Sequence, residues 1–220
     1  MRAKVTFILN PEYVIIDKYT TLDSILSGVI FKNFYTKDSN FKKALDTSEK
    51  LPIVKVYLQD GEWFYKASHP QFKIRDVNMI KFFKSTTIGR YLSKHGYHVT
   101  KLLVDKNAIE QGSGPYRQFD FILNVVNTNE VSFVADFTFG TLKEIDSYLK
   151  SLKITHIGKK SSLGFGRIDQ IVVEETDSSI VRHAPLGLEG LKYSQPFISS
   201  RVRPPYWLKS GGYVCGIVEF

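Results

Sequence analysis

The order in which apolar periodicity changes along the chain predicts an α+β fold of the βαββαβ kind, interrupted by one long insert. Three observations carry that prediction: a β-branched run followed by a helical stripe near the start, two alternating runs joined at residues 127–129, and a capped helix leading into a last strand. Val5 to Leu9 is apolar and stops at Asn10-Pro11, so it reads as the first strand. Leu22, Ile25, Leu26, Val29, Ile30 and Phe34 recur at helical spacing, and Thr20 with Asp23 resembles a capping box with Asp in place of Glu. Phe119, Phe121, Leu123 and Val125 alternate, Asn127-Thr128-Asn129 turns, and Val131, Phe133, Ala135, Phe137 and Phe139 alternate again; this is the pattern of a β-hairpin with one buried face. Gly140 ends it. Thr141 and Glu144 form a capping box for a helix whose buried stripe is Leu142, Ile145, Leu149 and Leu152. A last strand covers about Phe165 to Val173. The arrangement is ferredoxin-like, laid out as in RNA recognition motifs, with helices on one sheet face and the other face open. No RNP1-like run is present.

On this reading residues 1–36 and 116–180 form the core, 37–115 an inserted region and 181–220 a tail that returns to the core. The insert begins with a hairpin, Val54–Leu58 and Trp63–Ala67, turning at Asp60-Gly61. Gln111-Gly-Ser-Gly-Pro115 marks a flexible re-entry into the core. The tail, with Pro185, Pro196, Pro204 and Pro205, reads as extended chain closing in a strand at about Tyr213 to Val218.

Composition bounds the function. With 220 residues, 43% hydrophobic and 24% charged, the chain is long enough for a sizeable core and too apolar to be wholly disordered. No run approaches the ~18 apolar residues of a membrane helix, and the N-terminal stretch does not read as a signal peptide, so a cytoplasmic protein without a membrane partner is expected. The one cysteine, Cys215, excludes an internal disulfide and a cysteine-based zinc cluster, and it is expected to be buried and inert. The formal net charge is +8, and it is concentrated. Between Phe72 and Lys106 stand Lys73, Arg75, Lys81, Lys84, Arg90, Lys94, Lys101 and Lys106, opposed only by Asp76 and Asp105. Phe72, Phe82, Phe83, Tyr91 and Tyr97 are interleaved with them. Cations for phosphate and rings for base stacking point to a nucleic-acid-contacting thumb, with Lys81, Lys84, Arg90 and Lys94 as its candidate contacts.

The most informative segment joins the second helix to the last strand: His156-Ile-Gly158-Lys159-Lys160-Ser161-Ser162-Leu163-Gly164-Phe165-Gly166-Arg167. Glycines permit positive φ and close backbone approach, two lysines and an arginine supply charge, and the serines and main-chain N–H groups supply hydrogen bonds to phosphate. It matches neither a Walker loop nor a dinucleotide fingerprint. An ordinary glycine-rich connection has the same composition; the position before the last strand of a βαββαβ domain is what makes the segment specific.

With that loop in that place, the chain resembles the RAMP superfamily of CRISPR-associated RNA-binding proteins. Leu22-Asp23-Ser24-Ile25-Leu26, Trp63-Phe-Tyr-Lys66-Ala-Ser68 and Arg203-Pro-Pro-Tyr-Trp207 narrow the resemblance to the small capping subunit of type IV CRISPR effector complexes. The resemblance implies a non-catalytic subunit, without cofactor, that holds the five-prime handle of the CRISPR RNA and caps a filament of RAMP-type backbone subunits. It also implies contact with a large effector subunit that engages target DNA, sequence being read by guide pairing. Gly158, Lys159, Lys160, Ser161, Ser162, Gly164, Phe165, Gly166 and Arg167 are the expected RNA contacts, with Lys66, Ser68, His69, Arg203 and Trp207 alongside.

The alternative is a metal-independent endoribonuclease acting on the CRISPR precursor, since histidine can serve as general acid or base with Lys and Tyr nearby. Of the histidines at 69, 95, 98, 156 and 183, His156 stands nearest the loop but has no identifiable proton-transfer partner, and a structural role fits it better. His69, in Ala67-Ser-His-Pro70, suits a handle contact or a turn. His95 and His98 lack a nearby carboxylate, so a metal site is not expected.

Overall fold

The computed structural model describes residues 1–38, 40–84, 119–201 and 212–220. The chain divides into one compact unit of Met1–Asp76 with Val126–Phe220, and a second of Val77–Val125.

The first unit is built on β1 (Arg2–Leu9), which lies antiparallel between β8 (Glu130–Asp136) and β9 (Ile168–Glu175). With β5 (Gln71–Phe72) on the other side of β8, the sheet order is β5-β8-β1-β9. β1 starts earlier than the apolar run suggests because Arg2 is fixed at its head: Nε meets Asp136 Oδ1 at 2.7 Å. Lys66 Nζ meets Oδ2 of the same carboxylate at 2.8 Å. Burial alone would raise the Asp136 pKa, but these two cations hold it below its ordinary value. Ala3, Val5, Phe7 and Leu9 point into the main core, where they join Leu22, Leu26 and Ile30 of α1 (Leu22–Asp38) and Ile145 and Leu149 of α3 (Leu142–Ser151). Phe7 meets Phe133 edge to face at 5.9 Å.

α3 carries the capping box that its sequence specifies: Glu144 N–H donates to the Thr141 hydroxyl, and Thr141 N–H donates to the Glu144 carboxylate at 3.0 Å. The start of α1 differs from the expected Thr20–Asp23 pairing. Thr21 N–H donates to Ser24 Oγ at 3.1 Å, and Asp23 is wholly buried 3.7 Å from the buried guanidinium of Arg182. Arg182 also donates to the carbonyls of Tyr65 and His183 and lies over the Phe64 ring. A carboxylate spent on that contact is not available to cap its own helix.

Two further departures have topological causes. β7 (Phe119–Asn127) and β8 both form as strands, yet they do not pair as a hairpin. Val126 and Asn127 pair instead with β2 (Tyr13–Val14), because the turn is bonded to the β1–β2 connection: Thr128 N–H donates to Glu12 O, and Leu9 N–H to Asn129 O. The sheet is also less open than expected, since β8 is buried on both faces, Ser132 and Val134 as well as Val131 and Phe133. Within the residues expected to form the insert, 41–76 belong to the first unit. α2 (Phe41–Ser48) buries Ala44 and packs on α1, β3 (Lys55–Tyr57) pairs with β4 (Trp63–Tyr65), and Ile53 and Ala67 bridge to Phe137 and Ala135 of the β8 region. Lys73 and Arg75 of the basic window face Glu130 and Glu12.

The expected extended tail is a sheet, ordered β10 (Val181–Pro185), β12 (Tyr213–Glu219), β11 (Ser194–Ser200). It covers a smaller core of Phe64, Ala184, Cys215 and Val218. Cys215 is buried there, and burial pushes its thiol up to about 11, an unreactive state at neutral pH. In the second unit β6 (Asp76–Lys84) neighbours β7, with Phe82 stacked on Phe121 at 5.8 Å. Among the described residues no helix is long and apolar enough to cross a membrane.

The Asp23–Arg182 contact gives a stability test. Arg182→Met removes a cation 3.7 Å from a buried carboxylate and should cost about 3–5 kcal/mol in urea unfolding. Adding Asp23→Leu should recover most of that stability; a single variant as stable as the parent would contradict the assignment.

Candidate nucleic-acid interface

The glycine-rich connection runs from α3 to β9 and folds back on β2. Its geometry is set by its glycines. Gly158 has φ +81°, and a Cβ there would lie 2.4 Å from Ile15 O. Gly166 has φ +65°, and its Cβ would lie 2.0 Å from Ile157 O and 3.2 Å from Val14 Cγ2. No side chain fits either position. The close approach expected of these two glycines is thus made to the chain's own backbone. Main-chain bonds complete the attachment: Lys159 N–H to Ile15 O at 2.6 Å, Gly166 N–H to Tyr13 O at 2.8 Å and Ile157 N–H to Gly166 O at 2.8 Å. Gly164, at φ +87°, has open space where a Cβ would stand.

Between the two anchors, residues 159–165 form an outward turn. Lys160 takes a left-handed conformation, φ 61°, and starts a single 3₁₀ turn over Ser161–Leu163, closed by Gly164 N–H to Ser161 O at 3.0 Å. Lys159, Ser161, Ser162 and Arg167 are exposed, Leu163 is 61% exposed, and Lys160 and Phe165 are half-buried. Chemically this is an anchored basic protrusion: Lys159 and two hydroxyls in the open on the turn, with exposed Arg167 just past the second anchor. Such a group suits phosphate oxygens, which it can meet with charge and hydrogen bonds together and without a large ordering cost.

The other expected contacts fall elsewhere. Lys66 Nζ is engaged by Asp136. Ser68 is 1% exposed; its hydroxyl donates to His69 O at 2.8 Å and accepts from Val134 N–H at 2.9 Å. His69 Nε2 lies 2.8 Å from His183 Nδ1 and accepts the His183 main-chain N–H at 2.9 Å. These three side chains each have partners within the fold. Lys81 is an exposed residue of β6 in the second unit. The Lys84 side chain and all of Arg90, Lys94, Arg203 and Trp207 lie outside the described residues. His156 is half-exposed, its Nδ1 3.0 Å from the Thr155 hydroxyl. Among the described residues no cluster of His, Cys, Asp or Glu is arranged to hold a metal.

Residues 3–216 match the family described as CRISPR type IV associated protein Csf3. The chain belongs to that family. No curated protein matches it. For this member of the Csf3 family the match spans both the glycine-rich connection and the sheet that anchors it.

Two parts of the picture are invisible in the sequence. One is the Tyr13–Ile15 segment, which grips the loop through carbonyl groups, and a carbonyl leaves no mark in the residue type. The other is the His69–His183 pair, 114 positions apart in sequence, with Tyr19 edge-on to both rings at 5.9 and 4.8 Å. Burial, then the charges of Arg182 and His183, push His69 down to about 4, and burial also lowers His183. The accepted His183 N–H independently requires a lone pair on His69 Nε2.

Both the clamp and the histidine pair can be tested by unfolding. Gly166→Ala should unfold at clearly lower temperature than Gly164→Ala, which meets only a left-handed backbone penalty of about 1–2 kcal/mol; equal melting temperatures would remove the clamp. The unfolded chain protonates both imidazoles near pH 6.5, whereas folded His69 resists protonation down to about 4. Stability contributed by the pair is therefore full above about pH 6.5 and is lost as pH falls towards 4. Urea midpoints across that window should show the decline, and His69→Gln should flatten it.

Proposed function

We propose that this chain is a non-catalytic RNA-binding subunit of a type IV CRISPR effector complex, in which it holds the five-prime handle of the CRISPR RNA and caps the filament of backbone subunits. The observation that carries the reading is the anchored basic turn at 159–167. Family membership supports the CRISPR setting. The strand order supports the ferredoxin-like, RAMP-type part of the reading: β1 and β5 flank β8, and β8 and β9 flank β1, all antiparallel, which is the split βαβ layout with β5 in the place of the second strand. The exposed Lys81 on β6 is compatible with a thumb that adds phosphate contacts. A backbone subunit, a large effector subunit and target DNA are the partners this reading implies.

The non-catalytic part rests on the histidines. His69 and His183 spend ring nitrogens on each other, on the His183 main chain and on Pro196 O at 3.0 Å, and His156 faces a threonine. A general base needs a free lone pair within reach of the attacking hydroxyl, and the bonds that His69 Nε2 and His183 make within the fold support a structural role for that pair.

One experiment tests binding and catalysis together. Repeat RNA is titrated with the protein in EDTA over a range of salt. The parent should bind without cutting. Lys159→Ala/Lys160→Ala should bind more weakly, with the log–log salt slope smaller by roughly 0.7 for each phosphate that the variant no longer neutralises. An unchanged slope would take the turn out of the interface, and cleavage at a single position would favour the endoribonuclease instead.

A further inference from the structure

Away from the basic turn, the first unit holds a cleft of about 460 Å³ between the β3–β4 turn, the β10–β11 connection and the first residue of β12. Its floor is firm: Leu58 and Leu188 pack against the core of Phe64, Ala184, Cys215 and Val218. Its rim carries exposed apolar side chains. Tyr57 is 66% exposed and Leu186 47%, and neither is needed to close the core beneath. Two carboxylates, Asp60 and Glu189, also line the cleft, and no basic side chain lines it among the described residues. The cleft is thus acidic in a chain whose net charge is +8.

Asp60 is held in place. Tyr213 Oη donates to its Oδ2 at 2.8 Å, and Glu62 N–H donates to its Oδ1 at 3.1 Å. The Tyr213 bond, then the Glu62 amide, keep this carboxyl below its ordinary pKa, so it is charged throughout the neutral range. A fixed anion in the same cleft as the exposed Tyr57 ring suits a cation: the carboxylate supplies charge and the ring face supplies quadrupole attraction. A nucleic acid brought to the same place would set phosphate against two carboxylates.

We propose that this cleft is a docking site for an arginine- or lysine-bearing segment of a partner protein, with the cation between Asp60 and Glu189 and a neighbouring apolar side chain on Tyr57 and Leu186. Arginine suits it better than lysine, because a planar guanidinium can stack on tyrosine while it bonds to a carboxylate. The site is separate from the basic turn, and the proposal does not depend on RNA binding there. It gives the chain two chemically opposite surfaces, a basic one for nucleic acid and an acidic, aromatic one for protein.

The test uses the full chain, isotopically labelled for NMR, and three small probes: the blocked dipeptides acetyl-Leu-Arg-amide and acetyl-Leu-Glu-amide, and uridine monophosphate. The arginine dipeptide should move the amide signals of Gly61, Gly187 and Glu189 in a saturable way at millimolar concentration, and the other two probes should leave them in place. Asp60→Asn/Glu189→Gln keeps an acceptor for Tyr213 and should weaken the arginine dipeptide roughly tenfold or more. The proposal is overturned if the arginine probe moves none of these signals in the parent. It is equally overturned if the nucleotide moves the same set, which would make the cleft a base pocket, or if the double variant binds as well as the parent.

Discussion

Two main-chain hydrogen bonds, Gly166 N–H to Tyr13 O and Lys159 N–H to Ile15 O, hold the glycine-rich connection to its frame. They can form only because positions 158 and 166 carry no Cβ, so that backbone passes where a methyl group would collide. The rest is arranged around that contact. β2 is held from its other side by the end of β7, and β9 starts immediately after the loop and then pairs with β1 along its length. Closing the loop on β2 therefore also sets the start of the strand that completes the main sheet. In the proposed role, the clamp converts a basic glycine-rich segment from a flexible tether into a preorganised surface, and the ordering cost of binding RNA is met when the chain folds.

Polar burial elsewhere follows the same economy. Asp23 and Arg182 lie at opposite ends of the sequence and meet inside the first unit, and Arg182 reaches Tyr65 as well. His183, the next residue, pairs with His69. Consecutive residues of β10 thus join the last third of the chain to α1 and to the segment after β4. The polar contacts specify where the C-terminal sheet sits within the first unit, a task that apolar packing alone, which is non-directional, performs poorly.

Much of the architecture could be read from local pattern. The α1 stripe, the Thr141–Glu144 capping box, the β3–β4 hairpin, the closing strand and the burial of Cys215 all depend on residues close in sequence or on hydrophobic periodicity. Pairing between distant segments could not be read. Asn127-Thr-Asn129 looks like a hairpin turn, and only the carbonyl of Glu12 and the amide of Leu9 divert it towards another sheet. Asp23 looks like a cap because its partner stands 159 positions away. The glycine-rich turn was legible in its composition, but the work of its glycines was not: two serve the clamp, and Gly164 serves the turn itself. Lys66, Ser68 and His69 have the residue types of an RNA contact, and their long-range partners claim them for the fold.

If RNA meets this protein at the clamped turn, as proposed, amide hydrogen exchange on the full chain with and without repeat RNA will show it. Ile157 and Gly166, which donate inside the clamp, should exchange slowly in both states, while Ser161 and Ser162 slow on addition of RNA. Fast exchange at Gly166 in the free protein, or RNA protection that leaves residues 159–167 untouched, would contradict the proposal.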